Sequence, residues 1–321
     1  MKVLFDVDTG VDDSFALLYS ILKPEMEIVG IGTVCGNVES FLAAENTLKV
    51  LDLAEAPDIP VVKGAKLPIC GHWEGRVSTI HGDNGLGNVE LPKSRRKLKD
   101  VDMRDLYMEL AQRYEDDLVL IALGPLTNIA MTLEKYPSFA KKIKKMVMMG
   151  GTISMRGNVS PVAEANVATD PEACDAVFLS GMDITAVGLD VTMQVRLNQS
   201  HMEWLAGCCR PEARRAVEFL QKALKHYWRG NQVQNYCLGD CPVHDPLAAA
   251  CALVPSLVRI ETRRARVECG GTYCRGMIVT DLREHPMKGG DVGFALEVDA
   301  DRAIREVLSP FWEERTGNRY A

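Results

Sequence analysis

Four aspartates crowd the stretch DVDTGVDDSFALL, residues 6–18: Asp6, Asp8, Asp12 and Asp13. An apolar run precedes them and a helix-like pattern follows. In a strand ending near Asp8, alternate side chains share a face, so Asp6 and Asp8 point the same way. Gly10 permits a tight turn, and Asp12 and Asp13 open a helix over 14–18. Capping and attraction to the positive helix terminus account for Asp12 and Asp13, at up to about 1 kcal/mol each. They do not account for four carboxylates. Like charges about 4 Å apart repel by roughly 4 kcal/mol at an effective dielectric near 20, so such a cluster requires a shared proton or a cation. A metal is the stronger remedy, and oxygen donors without nearby His or Cys select calcium or magnesium.

Two familiar acidic motifs can be tested. An EF-hand loop counted from Asp6 wants Gly at its sixth position and Glu at its twelfth, where this chain has Val11 and Leu17. That motif fails. An aspartyl-nucleophile phosphatase of the haloacid dehalogenase type also begins with a strand ending in Asp-x-Asp, which makes Asp6 or Asp8 a conceivable phosphoryl acceptor. It stands as the alternative.

Further candidates sit where other strands end. In LVLIALGPLTNIAM, 118–131, a strand turns into a helix; the segment is either an ordinary connection or one whose Leu123 carbonyl, freed at the strand end, completes a hard-cation shell. In CPVHDPLAAACAL, 241–253, Asp245 is by default a helix cap and, near the first cluster, a further carboxylate ligand. His244 beside it is either structural or a proton donor. The stretch 157–173 carries Asn158, Glu164 and Asn166, a set suited to hydroxyls, which both donate and accept hydrogen bonds. GTVCGN, 32–37, ends a strand with Asn37, and the glycine-rich IHGDNGLGN, 80–88, carries His81 and is long enough for a substrate lid.

The elements that must position these groups follow from periodicity. Strand-length apolar runs recur at 2–7, 27–34, 118–123, 144–149 and 183–189, with helical patterns at 41–53, 103–115, 125–134 and 170–180. That alternation predicts an α/β fold with an open, mostly parallel, Rossmann-like sheet and helices on both faces. Apolar spacing from Pro211 to Tyr227 predicts one more helix, with Tyr227 in the core. Strands at 263–269, 277–280 and 292–298 and a closing helix at 300–308 add a small C-terminal β extension. With no repeat, linker or composition break, residues 1–321 read as a single domain. A hydrophobic content of 47% suffices for a large core, and no apolar run approaches the roughly 18 residues of a membrane span. The start is too short for a signal peptide, and ten scattered cysteines lack paired zinc spacing, so a cytoplasmic chain with reduced thiols is expected. The net charge of −7 disfavours nucleic acid, and the basic run 93–99 reads as a solvated loop.

Taken in order, the pieces resemble the nucleoside hydrolase family of the inosine–uridine-preferring type. DVDTGVDDSFALL is similar to that family's Asp-x-Asp-Pro-Gly-x-Asp-Asp signature, and GTVCGN, HGDNGLGN, ALGPLTN, MMGG, GNVSPVAEAN, GLDVT and PVHDPLA follow it. The resemblance implies hydrolysis of the N-glycosidic bond of purine or pyrimidine ribonucleosides. It implies calcium held by Asp8, Asp13, Asp245 and the Leu123 carbonyl, with Asp6 supporting those ligands from behind and Asp8 as general base. Asp12, Asn37, Asn158, Glu164 and Asn166 would hold the ribose, with Met149 lining the pocket. His81 and His244 would reach toward the base, His244 as leaving-group acid, with His81, Tyr227 and Tyr236 as alternatives. The expected partners are a small ribonucleoside and further copies of the chain, as a homodimer or homotetramer.

Three positions depart from the family pattern: Thr9 replaces the usual Pro, Ala165 stands where many relatives carry Phe, and Cys35 replaces a small residue. The first affects turn rigidity and the second the wall near the sugar, while the Cys35 thiol reads as packing. Two other classes compete. A nucleoside phosphorylase needs basic donors for phosphate, and Arg156 is the single cation in the site segments. A non-catalytic ribose- or calcium-binding protein has no use for His244.

Overall fold

The structure is a computed structural model that describes residues 1–234 and 237–313. From the amino terminus it runs β1 (Lys2–Val7), α1 (Val11–Leu22), β2 (Glu27–Thr33), α2 (Ser40–Leu53), β3 (Val61–Lys63), α3 (Ser78–His81), α4 (Met103–Tyr114), β4 (Leu118–Ala122), α5 (Thr127–Lys135), β5 (Lys145–Met149), α6 (Ala165–Thr169), α7 (Pro171–Phe178) and β6 (Ile184–Val187). It continues with α8 (Leu189–Thr192), β7 (Arg196–Asn198), α9 (Gln199–Cys208), α10 (Arg214–Gln234), β8 (Asp240–Pro242), α11 (Asp245–Leu253), β9 (Val258–Val267), β10 (Ile278–Asp281), β11 (Gly290–Val298) and α12 (Ala300–Leu308).

Nine strands form one sheet in the order β10-β9-β11-β6-β5-β4-β1-β2-β3, and β7 pairs with β8 apart from it. All neighbours from β11 to β3 run parallel; β9 is antiparallel to β11, and β10 to β9. Alternation along β1 sends Val3, Phe5 and Val7 into one apolar layer with α1, α10 and α11, and Leu4 into the other with α4, α5 and α7. Both faces are covered, as a parallel sheet requires. From β1, the chain builds β2 and β3 on one side and β4, β5 and β6 on the other. The crevice at such a reversal, outside the carboxyl ends of the strands, is where open α/β sheets bind ligands. Asp6 pairs in register with Ala122, so Leu123 follows beside Val7 and Asp8 emerges beside Gly124 there.

The sequence reading holds for the sheet and its crossovers and misses some boundaries. β9 begins at Val258, not 263, because its early residues Arg259, Glu261 and Arg263 face outward and pair with one another and with Glu297, which hides the apolar period. The three-residue strands β3, β7 and β8 are too short to show a period. α10 runs on past Tyr227 to Gln234 and carries that tyrosine to the crevice.

The glycine-rich segment after α3 is pinned and not a free lid. Asn84 accepts from the amides of Leu86 and Asn88, and its carbonyl accepts from Asn46 on α2. Gly87 takes φ +63° where a Cβ would lie 2.6 Å from the Ala223 carbonyl oxygen. Its neighbour in the same contact is Gly230 on α10, where a Cβ would come 2.3 Å from the Thr79 carbonyl oxygen. Gly230→Ala should therefore push α10 off α3 and destabilise the chain by about 1–3 kcal/mol. Equilibrium denaturation checks this, and unchanged stability would show that the approach is slack.

Candidate active site

The residues at the switch point line a pocket of about 80 Å³, among them Asp12, Asn37, His81, Leu123, Met149, Asn158, Glu164, Asn166, Tyr227, His244 and Asp245. Among the described residues, no Arg or Lys lines it. Asp8 and Asp13 are buried against it. Asp8 Oδ2 accepts from the Asn37 amide at 2.7 Å; Asp13 accepts from the amides of Asp8 and Gly10 at 3.1 and 2.8 Å and from Asn37 Nδ2 at 3.1 Å. Those donors are neutral. Burial, and then the neighbouring carboxylates, push Asp8 and Asp245 well above the usual carboxylate range and Asp13 to about 7.

Asp6 does something different from Asp8. β1 ends at Val7, so the alternation that would put both on one face stops between them. Asp6 Oδ2 accepts from Tyr107 on α4 and from Asn128 Nδ2 on α5 at 2.9 Å, beneath the pocket, and burial raises it to about 7 against those hydrogen bonds. Asn128 also donates to the Thr33 carbonyl and accepts from Ala65, so this network ties the ends of β1 and β2 to the helices.

The polar groups that α6 and the loop before it bring to the pocket are held by the backbone. Glu164 accepts from the amides of Gly151, Asn166 and Val167 at 2.8, 2.9 and 3.2 Å, capping α6 while facing the pocket; burial raises its pKa. Asn166 Nδ2 donates to the carbonyls of Leu123 and Met149, at 2.7 and 3.1 Å, and stitches the ends of β4 and β5. Asn158 Oδ1 accepts from the Ala165 amide.

The two histidines differ. His81 Nδ1 accepts from the Val11 amide at 3.2 Å; a backbone amide can only donate, so that nitrogen is bare and the ring is neutral. Asp12 Oδ1 lies 3.7 Å away, yet burial outweighs it and lowers the His81 pKa. His244 Nδ1 instead meets the Thr192 hydroxyl at 2.8 Å, and burial lowers its pKa to about 4. Tyr227, expected in the core, is buried and also donates to Asp12 Oδ2 at 3.0 Å, with its ring edge-on to His81.

Residues 3–305 match the family described as inosine-uridine preferring nucleoside hydrolase. The chain belongs to that family. It is 37% identical over 280 residues to uridine nucleosidase 1 of Arabidopsis thaliana, covering 87% of this chain and 82% of the relative. A solved plant nucleoside hydrolase superposes with a TM-score of 0.90 at 31% identity, covering 96% of this chain and 98% of the other. A purine-preferring ribonucleoside hydrolase from Gardnerella vaginalis gives 0.89 at 35%, covering 97% and 98%. The chain is therefore an enzyme with the nucleoside hydrolase fold, and the phosphatase alternative is set aside.

The donor set of this nucleoside hydrolase fits a hard divalent cation. Carboxylate oxygens of Asp12, Asp13 and Asp245 lie within 4.8 Å of one another, and the buried Asp8 Oδ1 and Asp12 Oδ1 have no hydrogen-bond partner. The tight group thus includes Asp12, expected at the ribose, while Asp8 adjoins it through Asp13. Among candidate acids, Tyr236 lies outside the described residues. Sequence reasoning assigned no role to Tyr107, Asn128, Asp190 or Thr192. GLDVT was a matched fragment whose Asp190 accepts from the amides of Ile153, Ser154 and Met155, holding the loop after β5.

A linkage follows from the raised carboxyls. Asp6 and Asp13 hold their protons to about pH 7 when folded and to only about 3.9 when unfolded, so their stabilisation is complete at low pH and is lost as pH rises toward 7. A cation reverses this by favouring the charged forms. After chelator treatment, the rise in Tm on adding back a divalent cation should be larger at about pH 8 than at about pH 5.5. Equal rises would contradict the assignment.

Proposed function

We propose that this enzyme hydrolyses the N-glycosidic bond of ribonucleosides to free base and ribose, with calcium held by Asp8, Asp13, Asp245 and the Leu123 carbonyl. One observation carries the reading: an acidic pocket with no Arg or Lys among its described lining residues brings unpartnered carboxylate oxygens together with a buried histidine. When bound, calcium supplies the positive charge that orients water and the sugar 2′- and 3′-hydroxyls.

The chain's own groups do the rest. Breaking the C1′–N bond leaves an oxocarbenium-like sugar, which carboxylates and amide dipoles around the ribose stabilise. Asp12, Asn37, Asn158, Glu164 and Asn166 are assigned to the ribose and Met149 to the apolar wall, in keeping with their place along the pocket. Asp6 is assigned to hold β1 from behind. Asp8 is the general base: its Oδ1 accepts no hydrogen bond, so it is available to take the proton of the attacking water. The bond's electron pair leaves with the base, and His244 Nε2 protonates the departing nitrogen. His81 is the weaker candidate for that step, since its bare Nδ1 is engaged by Val11; it is assigned to contact the base.

Residues 1–321 are taken as one catalytic domain. No helix among the described residues is long and apolar enough to cross a membrane, and buried thiols at Cys35, Cys174 and Cys251 suit a reducing cytoplasm. A homodimer or homotetramer is the assembly proposed, and both purine and pyrimidine ribonucleosides are candidate substrates. Water is the proposed acceptor because the pocket offers an entering phosphate carboxylates and no Arg or Lys side chain among the described residues.

Two experiments test this. Purified enzyme given a panel of ribonucleosides should release free base and free ribose at any phosphate concentration; ribose 1-phosphate as the main product would overturn the hydrolytic reading. His244→Ala should lower kcat on inosine or uridine by about 10²–10⁴-fold while sparing a nitrophenyl riboside, whose leaving group needs no proton. Its metal content should be unchanged because Asp245 is intact, and equal losses on both substrates would remove His244 as the acid.

A further inference from the structure

The segment 188–192 forms α8, directly after β6, and its last residue Thr192 is fully buried. The Thr192 hydroxyl meets His244 Nδ1 at 2.8 Å. His244 lines the pocket, so with Nδ1 taken the nitrogen left to face substrate is Nε2. Resting on the reading of His244 as leaving-group acid, we infer that Thr192 is a positioning residue that accepts from His244 Nδ1–H and thereby makes Nε2 the nitrogen that transfers the proton.

The chemistry requires this direction. A histidine that gives up a proton from Nε2 does so from the imidazolium, which burial makes the minor form of His244, and ends as neutral imidazole with its remaining proton on Nδ1. The Nε2–H bond breaks, the proton joins the nitrogen of the departing base, and the Nδ1–H bond to Thr192 persists throughout. A hydroxyl suits the task, since it accepts without adding a charge. Further negative charge beside His244 would join Asp12, Asp13 and Asp245 in the same pocket. His81 has no equivalent arrangement: a donor, the Val11 amide, occupies its Nδ1 and excludes a proton there. α8 is itself anchored, with Asp190 gripping three amides of the 153–155 turn, so the hydroxyl is delivered from a fixed element. The matched fragment GLDVT thus receives a role through both of its polar side chains.

Thr192→Val removes the hydroxyl and keeps the branched shape. It should lower kcat on inosine or uridine by about 10–100-fold, as loss of an orienting partner does elsewhere, with KM little changed and nitrophenyl riboside cleavage spared. Thr192→Ser should restore most of the loss, and adding Thr192→Val to His244→Ala should cost nothing more. If His244→Ala is selective between the substrates and Thr192→Val is not, or has wild-type rates, the inference is overturned while the acid assignment stands. If His244→Ala itself is unselective, the acid assignment fails and the inference with it. Should Thr192→Val not fold, ¹⁵N spectra of the wild-type histidine side chains decide: neutral His244 should carry its proton on Nδ1, and a proton on Nε2 with a bare Nδ1 would overturn the proposal.

Discussion

Asp8, Asp13 and Asp245 lie out of water at one end of the crevice between β1 and β4, with Asp12 against them, and their mutual repulsion sets the terms for everything around it. Charges so close cost several kcal/mol in a protein interior, and the available hydrogen bonds come from neutral amides of Asn37, Gly10 and Asp8. Those bonds orient the carboxylates without neutralising them. Protonation would quiet the cluster at the expense of its chemistry. A cation instead converts the repulsion into ligation, which is why oxygens of Asp8 and Asp12 can be left without partners inside a well-packed molecule.

The surroundings then follow as supports for a strained centre. Behind it, Asp6, Tyr107 and Asn128 bind the strand ends to α4 and α5 in a buried network. Beside it, Glu164 and Asn166 spend part of their hydrogen-bonding capacity on the backbone of 149–151 and Leu123, which fixes these polar side chains before any ligand arrives. Holding these polar groups on the scaffold before substrate binds is what preorganisation consists of in physical terms. α10 lies close on α3 through Gly230 and on the loop after α3 through Gly87, and Tyr227 and His81 meet edge to face beside Asp12.

What was legible in the sequence had a local signature. Parallel strands with crossover helices announce themselves by period, and four aspartates after an apolar run cannot be read as solvated surface. Asp245 and His244 could be flagged because they precede a helix whose burial the alanine-rich run 247–253 implies. The unreadable parts are those where one polar residue reaches across the fold. Thr192, Tyr107 and Asn128 look like ordinary helix residues until the sheet brings His244 and Asp6 to them. Asp12 stood in the acidic cluster by sequence and was assigned to the sugar by resemblance, while the structure sets its carboxylate within reach of those of Asp13 and Asp245. The segment 80–88 was long enough for a substrate lid by sequence, and what its residues could not announce is that Asn84 ties it to its own backbone and to Asn46.

The central claim is that the buried acids exist to hold one hard cation. Isothermal titration of chelator-stripped, folded enzyme with calcium tests it most directly, repeated in buffers of different ionisation enthalpy to count protons. The account predicts saturation at about one ion per chain with release of protons, because carboxyls held neutral by burial must ionise to bind. A folded, fully active enzyme that takes up no calcium, or that takes it up without releasing protons, would contradict it.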